Sequence, residues 1–402
     1  MMQQSPQTLL SQPLTLPCGV TLKNRLIKAA MSDSLGDGAG NPTTAQQRLY
    51  QRWAEGGVAL SLIGEVQGTP RYPEKPGNLV LTPDADLNAL QTLAQRGSTH
   101  GAQLWPQLGH AGALSHPPIS RPKGPSALAV QGLRCERLTL DDIHALPAAY
   151  AATATLAKQI GFGGVQIHAG HGFLLSQFLS PLFNHRTDAY GGGVDKRFRI
   201  IRHIIKAIRQ AVGAAFPIGI RINATDKLAG GLTEDDALAV VRRLDQTSID
   251  LIDISGGTYF PGAASSSDRV SSSGPYFIDF ARRAKAATTI PIMVTGGFKT
   301  RRQAAKAIAT GCADAIGLAR AMALTPTLAN QWLSDAGGDP AFPTFNAPPP
   351  GGATAWYTLR LTALGEDNEH RFDLSPTAAL AAYEARDAQR CITWRERFRA
   401  CE

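Results

Sequence analysis

Cysteine is scarce in this chain. Five occur in 402 residues, at Cys18, Cys135, Cys312, Cys391 and Cys401, widely spaced and with no Cys-x-x-Cys pair. That leaves no basis for a disulfide framework, a zinc ribbon or a four-cysteine iron–sulfur cluster. The expectation is a reduced, cytoplasmic protein. Long apolar runs are also missing: none approaches the ~20 residues that cross a bilayer, so no membrane partner is expected. Met1 to Leu10 has neither a basic start nor an extended apolar stretch, and no secretory leader is expected. The net charge of +8 is spread without any unbroken basic block. This pattern reads as a solvated surface and gives no nucleic-acid stripe, but it suits an anionic cofactor or substrate. Finally, Gly36-Asp-Gly-Ala-Gly40 fails the dinucleotide fingerprint and is read as a flexible loop.

What is present points to one architecture. Short runs rich in Val, Ile and Leu recur at residues 26–30, 59–65, 103–108, 164–168, 217–222, 251–255, 291–295 and 315–318. They show little polar alternation, as parallel strands covered on both faces do. Amphipathic segments such as 84–96, 141–160, 196–211, 234–245 and 301–309 separate them, and Thr233 followed by Asp235 and Asp236 reads as a helix N-cap with an acidic first turn. Eight such units predict an α/β fold, a (β/α)8 TIM barrel. About thirty residues with four prolines follow strand three, an insertion long enough to cap the barrel mouth. The expected division is a barrel over 1–336, a Pro/Gly-rich linker over 337–352 and a helical C-terminal extension over 353–402. In that extension Leu380, Tyr383, Cys391, Trp394 and Phe398 recur at near-helical spacing. The stripe is expected to pack on the outside of the barrel, with a homo-oligomer interface as the alternative.

Reacting groups of such barrels gather at the C-terminal ends of the strands. Here those ends carry Ala29, Ala30, Met31 and Ser32 after strand one, Gln107 in strand three, His168 and His171 at strand four, and Arg221 in strand five. Gly296 and Gly297 follow strand seven, and Ala319 and Arg320 follow strand eight. Glycine-bared N–H groups beside an arginine suit a phosphate dianion. His168 and His171 can ligate a metal, as in a barrel lyase or hydrolase, or can grip one substrate oxygen on which charge develops. Arg221, if buried, needs an anionic partner: either a barrel carboxylate or a reduced cofactor ring.

The stretches LPCGVTLKNRLIKAAM (16–31), PQLGHAG (106–112), IHAGHGFLLSQFLSP (167–181) and NHRTDAYGG (184–192) resemble the old yellow enzyme family of FMN-dependent NAD(P)H oxidoreductases. The resemblance spans about residues 10 to 335. It implies non-covalent FMN across the barrel mouth and NAD(P)H as reductant. Hydride would pass, by a ping-pong course, to a small-molecule electron acceptor such as an activated alkene, a quinone or a nitro compound. By the same resemblance Ala29, Ala30, Met31, Ser32 and Val66 flank the flavin ring, while Gln107 and Arg221 meet its pyrimidine edge. Gly296, Gly297, Ala319 and Arg320 hold the phosphate, His168 and His171 bind the acceptor oxygen, and Phe173 and Ser34 line the acceptor side. Phe173 stands where the family usually has a proton-donating tyrosine, and a phenyl ring has no proton to give. Tyr72 is a candidate replacement, and a flavin-binding protein with little turnover is the competing expectation.

Overall fold

The computed structural model describes residues 5–263, 274–334 and 337–399; the serine-rich stretch 265–273 and Cys401 lie outside them. Eight strands run parallel: β1 (Leu26–Lys28), β2 (Leu60–Gln67), β3 (Gln103–Gly109), β4 (Val165–Ala169), β5 (Ile218–Asn223), β6 (Leu251–Ser255), β7 (Ile292–Thr295) and β8 (Ala315–Leu318). Ile316–Leu318 of β8 pair with Leu26–Lys28 of β1, and Ile27 pairs with Leu60 of β2, which closes the sheet into a barrel. The strand bounds fall within two residues of those expected.

The surrounding helices are α1 (Thr44–Glu55), α2 (Leu87–Gly97), α3 (Leu140–Ile160), α4 (Val194–Val212), α5 (Glu234–Leu244), α6 (Ile278–Lys285), α7 (Arg301–Ala309), α8 (Arg320–Leu324) and α9 (Leu328–Leu333). Their starts are chemically marked. Thr233 Oγ1 accepts from Asp236 N ahead of α5, and Thr139 with Asp142 forms a reciprocal capping box on α3. α4 buries Phe198, Ile201, Ile204, Ile205 and Ile208, the apolar stripe that faces the strands.

Side chains alternate across each strand. Ile27, Leu60, Leu62, Trp105, Leu251, Met293 and Ala315 point inward and form one apolar cluster. Leu14, Leu16 and Leu22, from a hairpin pairing Leu14–Thr15 with Thr21–Leu22, join it and plug the N-terminal end of the barrel. The opposite end is left for polar groups.

The insertion after β3 is not a bare loop. It holds Lys123–Gly124, Leu128–Val130 and Leu133–Arg137 in a small three-stranded sheet. Two further helices, α10 (Gly352–Gly365) and α11 (Pro376–Phe398), follow the barrel. α11 does not pack on the outside of the barrel as expected. Cys391, Trp394 and Phe398 cluster with Val80 and Ile119, which belong to the loops after β2 and β3. Arg390 donates to Ser34 O and Arg395 to Pro118 O. The helix therefore lies across loops at the C-terminal ends of β1, β2 and β3, where Val80 and Ile119 meet its apolar stripe. Residues 36–40 are correspondingly held: Gly36 bridges to Pro42, and a Cβ on Gly40 would stand 2.8 Å from Val80 Cβ. That tight packing replaces the expected flexible loop.

No helix among the described residues is long and apolar enough to cross a membrane. Trp394 is 2% exposed. Trp394→Ala should cost about 3–5 kcal/mol of the docking of α11. Urea unfolding should show a lowered midpoint and limited proteolysis a newly cleaved C-terminal segment; an unchanged midpoint would mean that the helix contributes no stability there.

Candidate active site

Above the apolar floor the inward positions turn polar. Arg221 and Asp253 are register partners on β5 and β6, and both are buried. Arg221 Nε donates to Asp253 Oδ2 at 2.6 Å, Thr295 Oγ1 donates to Asp253 Oδ1 at 2.7 Å, and Gln166 Nε2 reaches Oδ2 at 3.3 Å. Gln107 Nε2 in turn donates to Gln166 Oε1 at 2.6 Å. Arg221 Nη1 crosses the barrel to Ala30 O at 3.2 Å. Of the two partners considered for Arg221, the barrel carboxylate is thus present.

His168 and His171 stand one step higher. His168 Nε2 lies 3.2 Å from His171 Nδ1, and His171 Nε2 lies 2.9 Å from Ser255 Oγ. His168 Nδ1 is 2.5 Å from Glu65 Oε1. His171 adopts φ +59, a left-handed conformation that a non-glycine residue holds only under external restraint. Asn223 Oδ1 accepts from His171 N at 2.9 Å, and Tyr259 N donates to His171 O at 3.2 Å. Burial holds both imidazoles well below the ordinary 6.5, with Arg221 adding to the effect on each and His168 on His171. They are neutral donors at physiological pH. Burial also pushes Glu65 up to about 8, against the pull of Arg221 and a hydrogen bond from Gln67. Phe173 packs 4.9 Å from the His168 ring and 5.8 Å from the Tyr259 ring, centre to centre.

Around this centre the other expected residues spread along the rim. Ala29 and Ala30 are small and buried, and Gly64 is required opposite them because a Cβ there would sit 2.1 Å from Met31 O. Ser32 lies near Glu74, whose carboxyl burial and Glu65 raise to about 7 against the pull of Lys75. Ser34 takes φ +52 beneath Arg390. Val66 turns its side chain into the outer core, so only its backbone stays at the strand end; a bulge between Ile63 and Val66 instead presents Glu65 to the mouth. Tyr72 stacks on His110, with ring centres 4.3 Å apart.

The glycine ends of β7 and β8 meet as expected. Gly296, Gly297, Lys299, Ala319 and Arg320 line one cavity, closed on the far side by Phe342. Gly296 and Gly297 take φ +122 and +83, and a Cβ on Gly297 would stand 2.6 Å from Gly274 O. Two cations and bared backbone make this cavity a fit for a phosphate group. The long motif after β4 is scaffold: Gln177 Nε2 donates to Ala111 O and Gly172 O, and Arg186 Nη1 to Pro125 O and Leu138 O. A Cβ on Gly191 would stand 1.9 Å from Arg186 O, which explains that glycine.

Sequence reasoning missed Asp253, Glu74 and Tyr259. Asp253 was readable in principle, as the inward position of β6 opposite Arg221; Tyr259 carried no motif. The arrangement supplies neutral donors for one oxygen, a fixed cation below them and an anion cradle to one side. Among the described residues, no group of three or more His, Cys, Asp or Glu can hold a metal ion, so the metal reading of the histidines finds no further ligand.

A model of the NADH:flavin oxidoreductase / NADH oxidase family matches residues 10–335. The chain is 34% identical over 355 residues to the NADH-dependent flavin oxidoreductase iliE of Hypocrea jecorina, covering 79% of this chain and 87% of that one. It is 31% identical over 322 residues to an NADPH dehydrogenase of Geobacillus thermodenitrificans, covering 79% and 92%. Among solved structures, a 2-naphthoyl-CoA reductase complex superposes with a TM-score of 0.76 at 26% identity over 82% of this chain and 53% of that one, so this chain spans about half its length. The old yellow enzyme homologue of Zymomonas mobilis shares the fold, with a TM-score of 0.70 at 22% identity over 83% and 94%.

The Glu65 environment has a measurable consequence. Its carboxyl titrates near 4.5 when unfolded and at about 8 when folded. Between those values the folded state holds a proton that the unfolded state has lost, so stability falls as pH rises through that window. Glu65→Gln, which mimics the protonated acid, should gain stability on the wild type steadily from pH 4.5 to 8 in urea unfolding. Parallel pH profiles would mean that Glu65 titrates as it does in water.

Proposed function

The chain belongs to the NADH:flavin oxidoreductase / NADH oxidase family and is an NAD(P)H-dependent FMN oxidoreductase; from that premise we propose that it passes hydride to an electron-poor small molecule, an activated alkene, quinone or nitro compound, by a ping-pong course. When bound, FMN supplies the two-electron hydride relay between the nicotinamide and the acceptor. The observation that carries this reading is the alignment, at one end of one barrel, of an anion cradle, a buried guanidinium and a paired set of imidazole donors.

In this reading Gly296, Gly297, Ala319 and Arg320 hold the phosphate, and Lys299 adds a second cation. Ala29 and Ala30 leave room for a flat ring at the end of β1, with Met31, Ser32 and the Val66 backbone on its border. Gln107 and Arg221 meet the pyrimidine edge. Asp253 fixes the guanidinium in place, so that a positive charge stands where negative charge accumulates on reduction.

His168 and His171 bind the acceptor oxygen. In the resting geometry they share one hydrogen bond, at 3.2 Å. An arriving oxygen replaces it with a donor from each ring. The strained backbone of His171, held by Asn223 and the loop after β6, keeps the second ring at that distance.

The purified protein should be yellow and should release FMN, not FAD, on denaturation; colourless protein that FMN cannot reconstitute would overturn the reading. His168→Ala or His171→Ala should each weaken a phenolic ligand by about 1.5–3 kcal/mol, the worth of a hydrogen bond to a charged oxygen. Flavin content should survive both changes, since neither ring touches the phosphate cavity. Titration of flavin absorbance with phenol reads both quantities, and undiminished affinity in both variants would make the pair structural.

A further inference from the structure

Saturating a carbon–carbon double bond by hydride needs a proton as well. Hydride reaches the β-carbon, the displaced π pair moves to the α-carbon through its conjugated carbonyl, and a new C–H bond must form there. The side chains around the histidines offer few protons. Phe173, packed on His168, has none. The two imidazoles commit their nitrogens to each other, to Ser255 and to the Glu65 contact. Glu65 itself is buried behind His168, with its second oxygen against Gly109. Glu74 is half-buried on the loop after β2, its backbone N–H donating to Asn78 Oδ1, and Tyr72 is stacked on His110.

A further hydroxyl stands on the loop after β6. Tyr259, four residues beyond the end of β6, is 59% exposed, more than any other large apolar or aromatic side chain singled out as exposed among the described residues. Its backbone is nonetheless fixed. Thr258 forms a bridge with His171, Tyr259 N donates to His171 O, and Phe260 N donates to Thr258 Oγ1. Its ring centre lies 5.8 Å from that of Phe173 and 6.5 Å from that of His171. Its hydroxyl feels Glu74, Glu65 and Arg221, which stand on the loop after β2, on β2 and on β5. With its ring beside Phe173 and His171, this exposed side chain borders the mouth.

We propose that Tyr259 is a catalytic residue, the acid that protonates the α-carbon when an activated alkene is reduced. This inference rests on the functional reading above. The step balances as follows: hydride originating in NAD(P)H forms the β-carbon C–H bond, the Tyr259 O–H bond breaks, and its proton forms the α-carbon C–H bond. The phenolate left behind regains a proton from water through the open mouth, so that the net change consumes the alkene, one NAD(P)H and one proton. The nearby Glu74 and Glu65 raise the phenol's proton affinity, but an enolate carbon is the stronger base and still takes the proton.

The test uses the FMN-loaded full chain, with cyclohexenone and benzoquinone as acceptors in single-turnover reoxidation. Tyr259→Phe should slow the enone reaction roughly 10²–10⁴-fold, the usual worth of a positioned acid. The quinone reaction, whose oxygens take protons from water, should lose at least roughly tenfold less. Phenol affinity should stay within a few-fold, which shows an intact pocket. In heavy water, with a 2-substituted enone, the wild type should place deuterium on one face of the α-carbon, and the variant should lose that stereochemical preference. Phe173→Tyr in the Tyr259→Phe background should restore at least roughly a tenfold gain with the enone, since it puts a hydroxyl back beside His168. Equal losses for the two acceptors, or unchanged stereochemistry of deuteration, would overturn the proposal. A wild type without FMN would instead overturn the functional reading, and shows itself before any variant is compared.

Discussion

A guanidinium cannot sit at the centre of a barrel without an anion, and the Arg221–Asp253 pair meets that condition at 2.6 Å between neighbouring strands. Breaking such a buried pair costs about 3–5 kcal/mol, because the surviving charge is left unpaired. The pair also arranges what surrounds it. Asp253 gathers Gln166 and Thr295, Gln166 takes Gln107, and Arg221 reaches across to Ala30 O. Five strands, β3 to β7, and the segment after β1 are thereby tied into one hydrogen-bonded layer, and the fixed positive charge acts on the groups above it. It helps keep His168 and His171 neutral and pulls Glu65 toward ionisation against its burial.

Strain collects in the same place. Ser34, Glu65 and His171 all have left-handed backbone, and they lie at the ends of β1, β2 and β4. Each such residue costs of order 1–3 kcal/mol and persists only where its surroundings impose it. Here the restraints are identifiable: Arg390 holds Ser34, the bulge after Ile63 turns Glu65 inward, and Asn223 with the loop after β6 holds His171. The loops that carry the site are thus rigid where it matters, and their rigidity comes from side chains distant in sequence.

The distance in sequence also decides what could be read in advance. The strands were legible because parallel strands buried on both faces need nearly continuous Val, Ile and Leu, and the bounds fell within two residues. Arg221, His168, His171 and the paired glycines were legible because the barrel puts function at strand ends. Val66 was placed beside the ring without any sign of which way its side chain would turn, because the bulge that decides this leaves little trace in composition. The stripe of α11 was visible, but not what it would cover, since periodicity gives a helix its apolar face and says nothing of the partner. Tyr259 was silent for a related reason: its position depends on a bridge between two loops separated by the whole of β5 and α5.

The segments that follow the family-matched region touch the site at both ends. Phe342 closes the glycine cavity and lies 5.6 Å from Lys299 Nζ, while Tyr357 of α10 lies 5.8 Å from the Arg320 guanidinium. These aromatic faces hold the charged ends of two flexible side chains beside the glycine cavity. At the other end Arg390 pins Ser34, and Gly38 must lack a side chain because a Cβ there would stand 3.1 Å from Arg390. α10 is anchored in turn on α1, where Arg52 donates to Leu364 O and pairs with Glu369. One continuous brace therefore runs from the anion cradle, over α1, to the rim above the histidines. Tyr357, Leu361 and Leu364 of α10 also join the main apolar core, so the same segment serves the packing of the barrel and the geometry of its rim.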